Sequence, residues 1–331
     1  MELQNNIYKK PVSQKLGEYS EVIVLGILFA LYLFLGNYYS WSIVIGGKNL
    51  LSTLPTSGGS DPYYNFRVIE YILQYHVQLV YDAALNYPLG SINPRNPFFH
   101  WLVVFFAEIL SPIFGLNNAA YYVFEELDAV FGALLIIPVY LIGREIFGKK
   151  AGLVAAFLYT LMPSNLSSGI LSGGRMHTPE LIFAFFAIYF FLKAMKHAKK
   201  SRIVEKQSDL KSYIPSTLNY IRSNRVATIY GLLAGASLGG LMLSWQGYAY
   251  IEVIILIYVG VQLIANLILK RPTGYLTYFT ILFALLGFVM GFYYYRGVSE
   301  LAGWYNAEVL MALMIIVFAA LINIIGRKPW L

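Results

Sequence analysis

Nine stretches of this chain are apolar over lengths close to a membrane crossing: residues 21–38, 98–114, 124–143, 151–166, 181–193, 226–243, 248–269, 275–292 and about 307–325. Inside hydrocarbon each backbone N–H and C=O must find its partner within its own segment, so runs of about 20 apolar residues fold as helices. A closed barrel would need short strands of alternating polarity, and the sequence has none. At 58% hydrophobic and 12% charged residues, the composition also excludes a soluble globular domain. The chain is predicted to be an all-α polytopic membrane protein. Cysteine is absent, which removes disulfides and thiolate metal sites.

Basic residues set the orientation. Lys9, Lys10 and Lys15 precede the first run, which lacks a small-residue cleavage site and is read as a retained span. Residues 1–20 are then a cytoplasmic segment, 21–331 a single transmembrane domain, and 39–123 a large first external loop. Further basic clusters at 144–150, Lys193 to Arg225, Lys270-Arg271 and Arg327-Lys328 belong inside, and 194–225 reads as a basic cytoplasmic connector. These assignments leave room for eight crossings. Phe98–Phe114 carries His100, Glu108 and Pro112 and lacks flanking charge, so it is assigned to the outer interface or a re-entrant arm. The net charge of +7 lies in these helix-end clusters and marks topology; no nucleic-acid partner is expected. No soluble C-terminal domain is expected either.

The external loop carries Gly58-Gly59-Ser60-Asp61-Pro62-Tyr63-Tyr64-Asn65-Phe66-Arg67. A carboxylate on the water side of so apolar a protein holds a cation or a polar substrate, or else Asp61 caps a helix with Pro62 at its first position. Both roles stay open from the local sequence. Arg67 is a partner for Asp61 or for a phosphate.

The segment from Ser60 to Arg67, followed by Asn86-Tyr87-Pro88-Leu89-Gly90, resembles the first external loop of oligosaccharyltransferase catalytic subunits of the archaeal branch. Ile136-Ile137-Pro138-Val139-Tyr140 through Gly148 looks like that family's second span and its cytoplasmic end. Ser244-Trp245-Gln246-Gly247-Tyr248 is similar to its Trp-Gly-Gly turn. The resemblance implies a membrane glycosyltransferase of GT-C-like architecture. Such enzymes move a glycan from a polyprenyl (dolichyl) phosphate carrier to Asn in Asn-x-Ser/Thr sequons at the outer membrane face. They use a divalent metal, Mn²⁺ or Mg²⁺.

By the same resemblance Asp61 ligates the metal and contacts the acceptor amide. The second metal loop falls at Gly173-Gly174-Arg175-Met176-His177-Thr178-Pro179-Glu180. Archaeal relatives read Asp-His-His there with a Glu three residues later, so Arg175 stands where Asp is expected, and an arginine cannot bind a cation. The implied metal set is Asp61, His177 and Glu180. His177 and Glu180 meet one centre if a helix begins near Thr178, or they are an interfacial histidine and a helix-start acid. Arg175 binds a lipid phosphate or marks an inactive paralogue. Asp82 and His100 are further substrate-side candidates, the alternatives being a solvated loop acid and an interfacial histidine.

The expected partners are a lipid-linked oligosaccharide donor, a sequon-bearing polypeptide and membrane lipids. Two alternatives remain: transfer from the same kind of carrier to another acceptor, and an inactive paralogue that binds lipid-linked glycan. The uncharged centres of most spans argue against a transporter.

Overall fold

The computed structural model describes residues 12–45, 61–169, 177–201, 203 and 210–325. Its helices are α1 (Val12–Ile45), α2 (Asp61–Tyr75), α3 (Pro97–Phe114), α4 (Leu116–Leu134), α5 (Ile136–Phe147), α6 (Lys149–Leu161), α7 (Pro163–Ser168), α8 (His177–His197), α9 (Leu210–Ser223), α10 (Arg225–Ser244), α11 (Ala249–Ile268), α12 (Gly274–Gly297) and α13 (Ser299–Ile325). Strands β1 (Tyr81–Asp82) and β2 (Ser91–Ile92) pair antiparallel, Tyr81 opposite Ile92 and Asp82 opposite Ser91.

Eight helical stretches among the described residues are long and apolar enough to cross a membrane, as many as predicted, but the set differs. Pro97–Phe114 meets the criteria of length and composition, which do not distinguish a crossing from the expected place at the outer interface. Its polar residues do not interrupt it. His100 is turned inward and buried, and Pro112 sits in the last turn. Pro112 has no N–H for the Glu108 carbonyl, and the Ser111 hydroxyl donates to that carbonyl instead, at 2.8 Å. The run 151–166, expected as one span, is broken in two. Met162 is extended (φ −70°, ψ 121°), as a residue before proline tends to be, and α7 starts at Pro163. The apolar helical stretch that holds the expected 124–143 span starts at Leu116 and runs to Phe147 through a joint at Leu135, because Pro138 cannot donate to the Leu134 carbonyl.

Contacts along the helices fix their direction. Helix α8 runs in the same sense as α4 and α5. At its start the Thr178 hydroxyl donates to the Asp128 carbonyl (2.9 Å), and at its end Lys193 and Lys196 reach Glu145 (3.0 and 2.6 Å). Helices α6 and α7 therefore return the chain from the Glu145 end to the Asp128 end, with Tyr159 donating to the Gly132 carbonyl on the way (3.0 Å). The return is close: a Cβ on Gly152 would lie 2.8 Å from the Tyr140 carbonyl oxygen and 2.9 Å from the Arg144 nitrogen. Backbone atoms cannot move aside, so that position requires glycine. Gly235 plays the same part between α10 and α12, where a Cβ would fall 2.8 Å from the Leu282 carbonyl oxygen. In lipid no water drives helices together, and small residues bring them into packing range.

Three cores result. One joins α8 to α10–α13 around Phe191, Phe279 and Phe283. A second joins α1 to α4–α6 around Tyr32, Tyr140 and Tyr159. The third positions the site: α2 turns Asn65, Val68, Ile69 and Ile72 inward at helical spacing, and these apolar residues pack with Phe99 and Phe124 of α3 and α4.

Candidate functional site

Asp61 opens α2 and is followed by buried Pro62, as the sequence predicts for a helix start. Its carboxylate is directed at Arg95. Oδ1 accepts a hydrogen bond from Arg95 Nη2 at 2.5 Å, with the two side chains 37% and 31% exposed. The sequence does not single out Arg95, yet much of the local structure serves to place it. Asn93 is buried; its amide donates to the Leu79 carbonyl (2.8 Å), and its Oδ1 accepts the Arg95 backbone N–H (2.8 Å). Asn96 is also buried and donates to the Met242 carbonyl (2.6 Å) and the Tyr295 hydroxyl (2.9 Å). Between them Gln246 donates to the Pro94 carbonyl (3.1 Å) and the Tyr294 hydroxyl to the Arg95 carbonyl (3.3 Å). The turns after α10 and at the end of α12 thus hold Arg95 against Asp61.

Arg67, offered by the sequence as a partner for Asp61, is committed elsewhere. Its Nε and Nη2 donate to Asp82 Oδ2 and Oδ1 at 2.9 and 3.1 Å. Asp82 also accepts the Ala84 N–H (2.9 Å) and is 2% exposed, so it is no solvated loop residue. The Arg67 hydrogen bonds hold the Asp82 carboxyl below the usual carboxylate range, against the opposing effect of burial and with help from the Ala84 N–H. The Arg67 pKa is raised in turn, chiefly by the same bonds. Tyr64 is within the electrostatic reach of both ion pairs. Burial pushes its phenol up to about 12, Asp82 adds to the rise, and the charges of Arg67 and Arg95 oppose it. At neutral pH it is a hydroxyl donor, and its buried Oη has no hydrogen-bond partner among the described residues.

His100 is fully buried beneath α2. Its Nε2 lies 3.3 Å from Asn65 Oδ1, and its Nδ1 has no partner among the described residues. It is a packing neighbour of the site and not an interfacial residue.

Helix α8 begins at His177, one residue before the expected start, and His177 Nδ1 lies 3.3 Å from Glu180 Oε2. The charge of Arg95 also acts on Glu180, and Phe98 packs edge-on against Phe183 with centroids 5.0 Å apart. Asp61 and the start of α8 therefore share one end of the bundle. Arg175 lies outside the described residues. Among the described residues no three His, Asp or Glu side chains are placed to hold a metal ion. Asp61 faces a guanidinium, while His177 and Glu180 face each other. The described side chains do not fit a divalent-ion site, and the predicted trio is not gathered around one point.

The family model described as "Oligosaccharyl transferase STT3, N-terminal" matches residues 53–328. The chain belongs to this oligosaccharyltransferase family. Among its relatives is dolichyl-phosphooligosaccharide-protein glycotransferase 3 of Archaeoglobus fulgidus, 30% identical over 201 residues, covering 60% of this chain and 21% of the relative. Another is the dolichyl-monophosphooligosaccharide–protein glycotransferase AglB of Haloferax volcanii, 28% identical over 152 residues, with 44% and 14% covered. Among solved structures, the A. fulgidus oligosaccharyltransferase AglB, in complex with an inhibitory peptide and a dolichol-phosphate, superposes with a TM-score of 0.71 at 23% identity. That match covers 94% of this chain and 34% of the AglB chain. An A. fulgidus oligosaccharyltransferase complex with Zn and sulfate gives a TM-score of 0.69 at 23% identity, covering 92% and 35%. At these identities the solved structures show the fold, that of a GT-C membrane glycosyltransferase. This oligosaccharyltransferase-family chain spans about a third of the solved chains and a smaller share of the curated relatives. Its eight candidate spans and its family make it a multi-pass membrane protein.

Proposed function

We propose that the chain carries the transmembrane part of a glycosyltransferase that moves a glycan from a polyprenyl (dolichyl) phosphate carrier to the asparagine of an Asn-x-Ser/Thr sequon, at the outer membrane face. The observation that carries this is the half-exposed Asp61 carboxylate, held by Arg95 on a turn anchored to two helices of the bundle. An amide nitrogen is a poor nucleophile because its lone pair is delocalised into the carbonyl. A carboxylate that accepts hydrogen bonds from the acceptor NH2 group fixes its orientation and favours loss of that conjugation. Asp61 uses Oδ1 toward Arg95 and leaves Oδ2 without a partner among the described residues. On the donor side a phosphate leaves with growing negative charge, and cationic donors beside it stabilise that charge.

Mn²⁺ or Mg²⁺ is the cofactor expected from the family, with Asp61, His177 and Glu180 as its candidate ligands. Among the described residues these three form no metal-holding group, and the reading favoured here gives charge compensation to Arg95. Arg67 and Asp82 support the loop, His100 supports α2, and Arg175 is a further phosphate-side candidate from the sequence.

An assay in native membranes tests this, with a lipid-linked oligosaccharide, a sequon peptide and Mn²⁺ present. Asp61→Ala should lower transfer by at least about 100-fold, as loss of an oriented transition-state contact does. Transfer at the wild-type rate by Asp61→Ala would remove Asp61 from the chemistry. Arg175, in the place of an expected acid, favours a second reading, an inactive paralogue that binds lipid-linked glycan. A silent wild type restored to turnover by Arg175→Asp would establish it.

A further inference from the structure

The whole formal net charge of +7 lies in about a tenth of the chain: Lys193 to Arg225 holds nine basic and two acidic residues, and the remainder balances. Within this stretch Lys193 and Lys196 spend their charge on Glu145, and His197 stacks on Tyr230 with centroids 5.5 Å apart. Lys199, Lys200, Arg222 and Arg225 are exposed and have no ion-pair partner among the described residues. Outside the described residues, Arg202, Glu205, Lys206 and Asp209 add two charges of each sign. The four exposed cations come from two separate helix ends, which the fold clamps together. The Lys199 backbone N–H donates to Asn224 Oδ1 (2.7 Å), the Tyr220 hydroxyl donates to the Lys199 carbonyl (2.9 Å), and the Asn224 amide donates to the Tyr220 carbonyl (3.0 Å). Tyr220 and Asn224 are buried. Like charges are thus gathered by neutral groups, and an anionic partner relieves their repulsion.

Helix α9 gives a second, independent signal. Its Tyr220 side is turned into the bundle, edge-on to Tyr278 with centroids 5.4 Å apart. On one flank of that buried face Ile214 is 74% and Leu218 47% exposed, one turn apart, and the partly buried Ile221 continues the line. On the other side Asn219, Arg222 and Ser223 are exposed. A helix with an apolar flank and a polar, basic one lies in the plane of a bilayer surface. At Asn224 the chain passes directly into α10, a candidate span that opens with exposed Val226 and Ile229.

The geometry points to an anionic-lipid site at the end of the bundle opposite Asp61, with Ile214 and Leu218 of α9 against the acyl chains and Lys199, Lys200, Arg222 and Arg225 on the lipid phosphates. Asp61 shares the start of α8, whereas Lys199 follows its end. Charge complementarity selects the occupant, since a zwitterionic headgroup brings no net charge to four cations and an anionic one does. An acidic soluble protein would meet the same cations, but would leave the apolar flank of α9 without its natural neighbour, the bilayer around α10.

The chain has no cysteine, so a single spin label can be placed without other changes. Full-length Leu218→Cys and Asn219→Cys are labelled in nanodiscs of equal parts phosphatidylcholine and phosphatidylglycerol. Power saturation should find the Leu218 label more accessible to oxygen than to a water-soluble nickel chelate, and the Asn219 label the reverse. In the same nanodiscs, unlabelled wild type should immobilise spin-labelled phosphatidylglycerol about fivefold or more in preference to spin-labelled phosphatidylcholine, the scale of one cation at an anionic surface. That preference should fall to near parity in about 1 M salt, a result that needs no variant to fold. The combined variant Lys199→Gln, Lys200→Gln, Arg222→Gln and Arg225→Gln should also be near parity, with thermal melting confirming that it is folded. A Leu218 label in water, equal immobilisation of the two lipids by wild type, or a preference that persists in high salt or in the folded variant would each overturn the inference.

Discussion

Two aspartate–arginine pairs lie in the first loop and differ in almost every physical respect. Asp82 is 2% exposed, accepts two hydrogen bonds from Arg67 and one from a backbone N–H, and has every oxygen engaged. Asp61 is 37% exposed, makes one hydrogen bond to Arg95, and faces a guanidinium with an unused donor. The first pair is closed and tethers β1 to α2. The second is open and anchored from behind, its backbone tied to α10 and α12 through Asn96. A saturated pair resists change, whereas an unsaturated pair at a rim can exchange its partner for a ligand. The sequence places Asp61 ahead of Asp82, but which pair is open and which is closed is not legible there.

Several substitutions break or sharpen that contrast. The largest effect is expected at the anchor. Asn96→Ala removes two buried hydrogen bonds and frees the Arg95 turn, which should cost about 2 kcal/mol of stability and lower transfer roughly tenfold. Melting curves beside the transfer assay check it, and full activity would show that the anchor is dispensable. Asp82→Asn should cost about 1–3 kcal/mol in thermal unfolding while leaving transfer within about threefold, because Asp82 is buried but Arg67 stays solvated.

The same pair predicts a pH response. The Asp82 carboxyl titrates below its ordinary value of 3.8, so its contribution is complete above that value and is lost as pH falls through the lower, folded one. Wild type should therefore lose melting temperature below about pH 4 more steeply than Asp82→Asn; parallel curves would place the acid sensitivity elsewhere. The smallest effect is at Tyr64. Its hydroxyl has no partner among the described residues, so Tyr64→Phe should leave the melting curve within about 0.5 kcal/mol of wild type.

Much of this architecture is legible in the sequence, since composition and run length dictate helices and positive residues mark their ends. The differences in detail have local causes. His100 looks disruptive in an apolar run until Asn65, 35 residues earlier, covers it. Pro163 breaks a run whose average hydropathy conceals the break. Asp61 is legible because motif and helix start coincide. Its partner is not, because the natural guess is the nearest arginine, whereas the chain folds back to bring up one 34 residues away. One signal for Arg95 is present: it is one of three basic residues in 39–123 and stands between Asn-Pro and Asn-Pro. Gln246 is another, since it replaces a glycine of the family turn and donates to Pro94.

The most direct test of the account sets Asp61→Asn beside Asp82→Asn, each measured for thermal stability and for glycan transfer in the same membranes. The account predicts a crossed result: Asp61→Asn melts like wild type and loses transfer, while Asp82→Asn melts earlier and keeps it. Loss of both properties together in both variants, or the opposite crossing, would contradict the distinction between an open pair that works and a closed pair that holds.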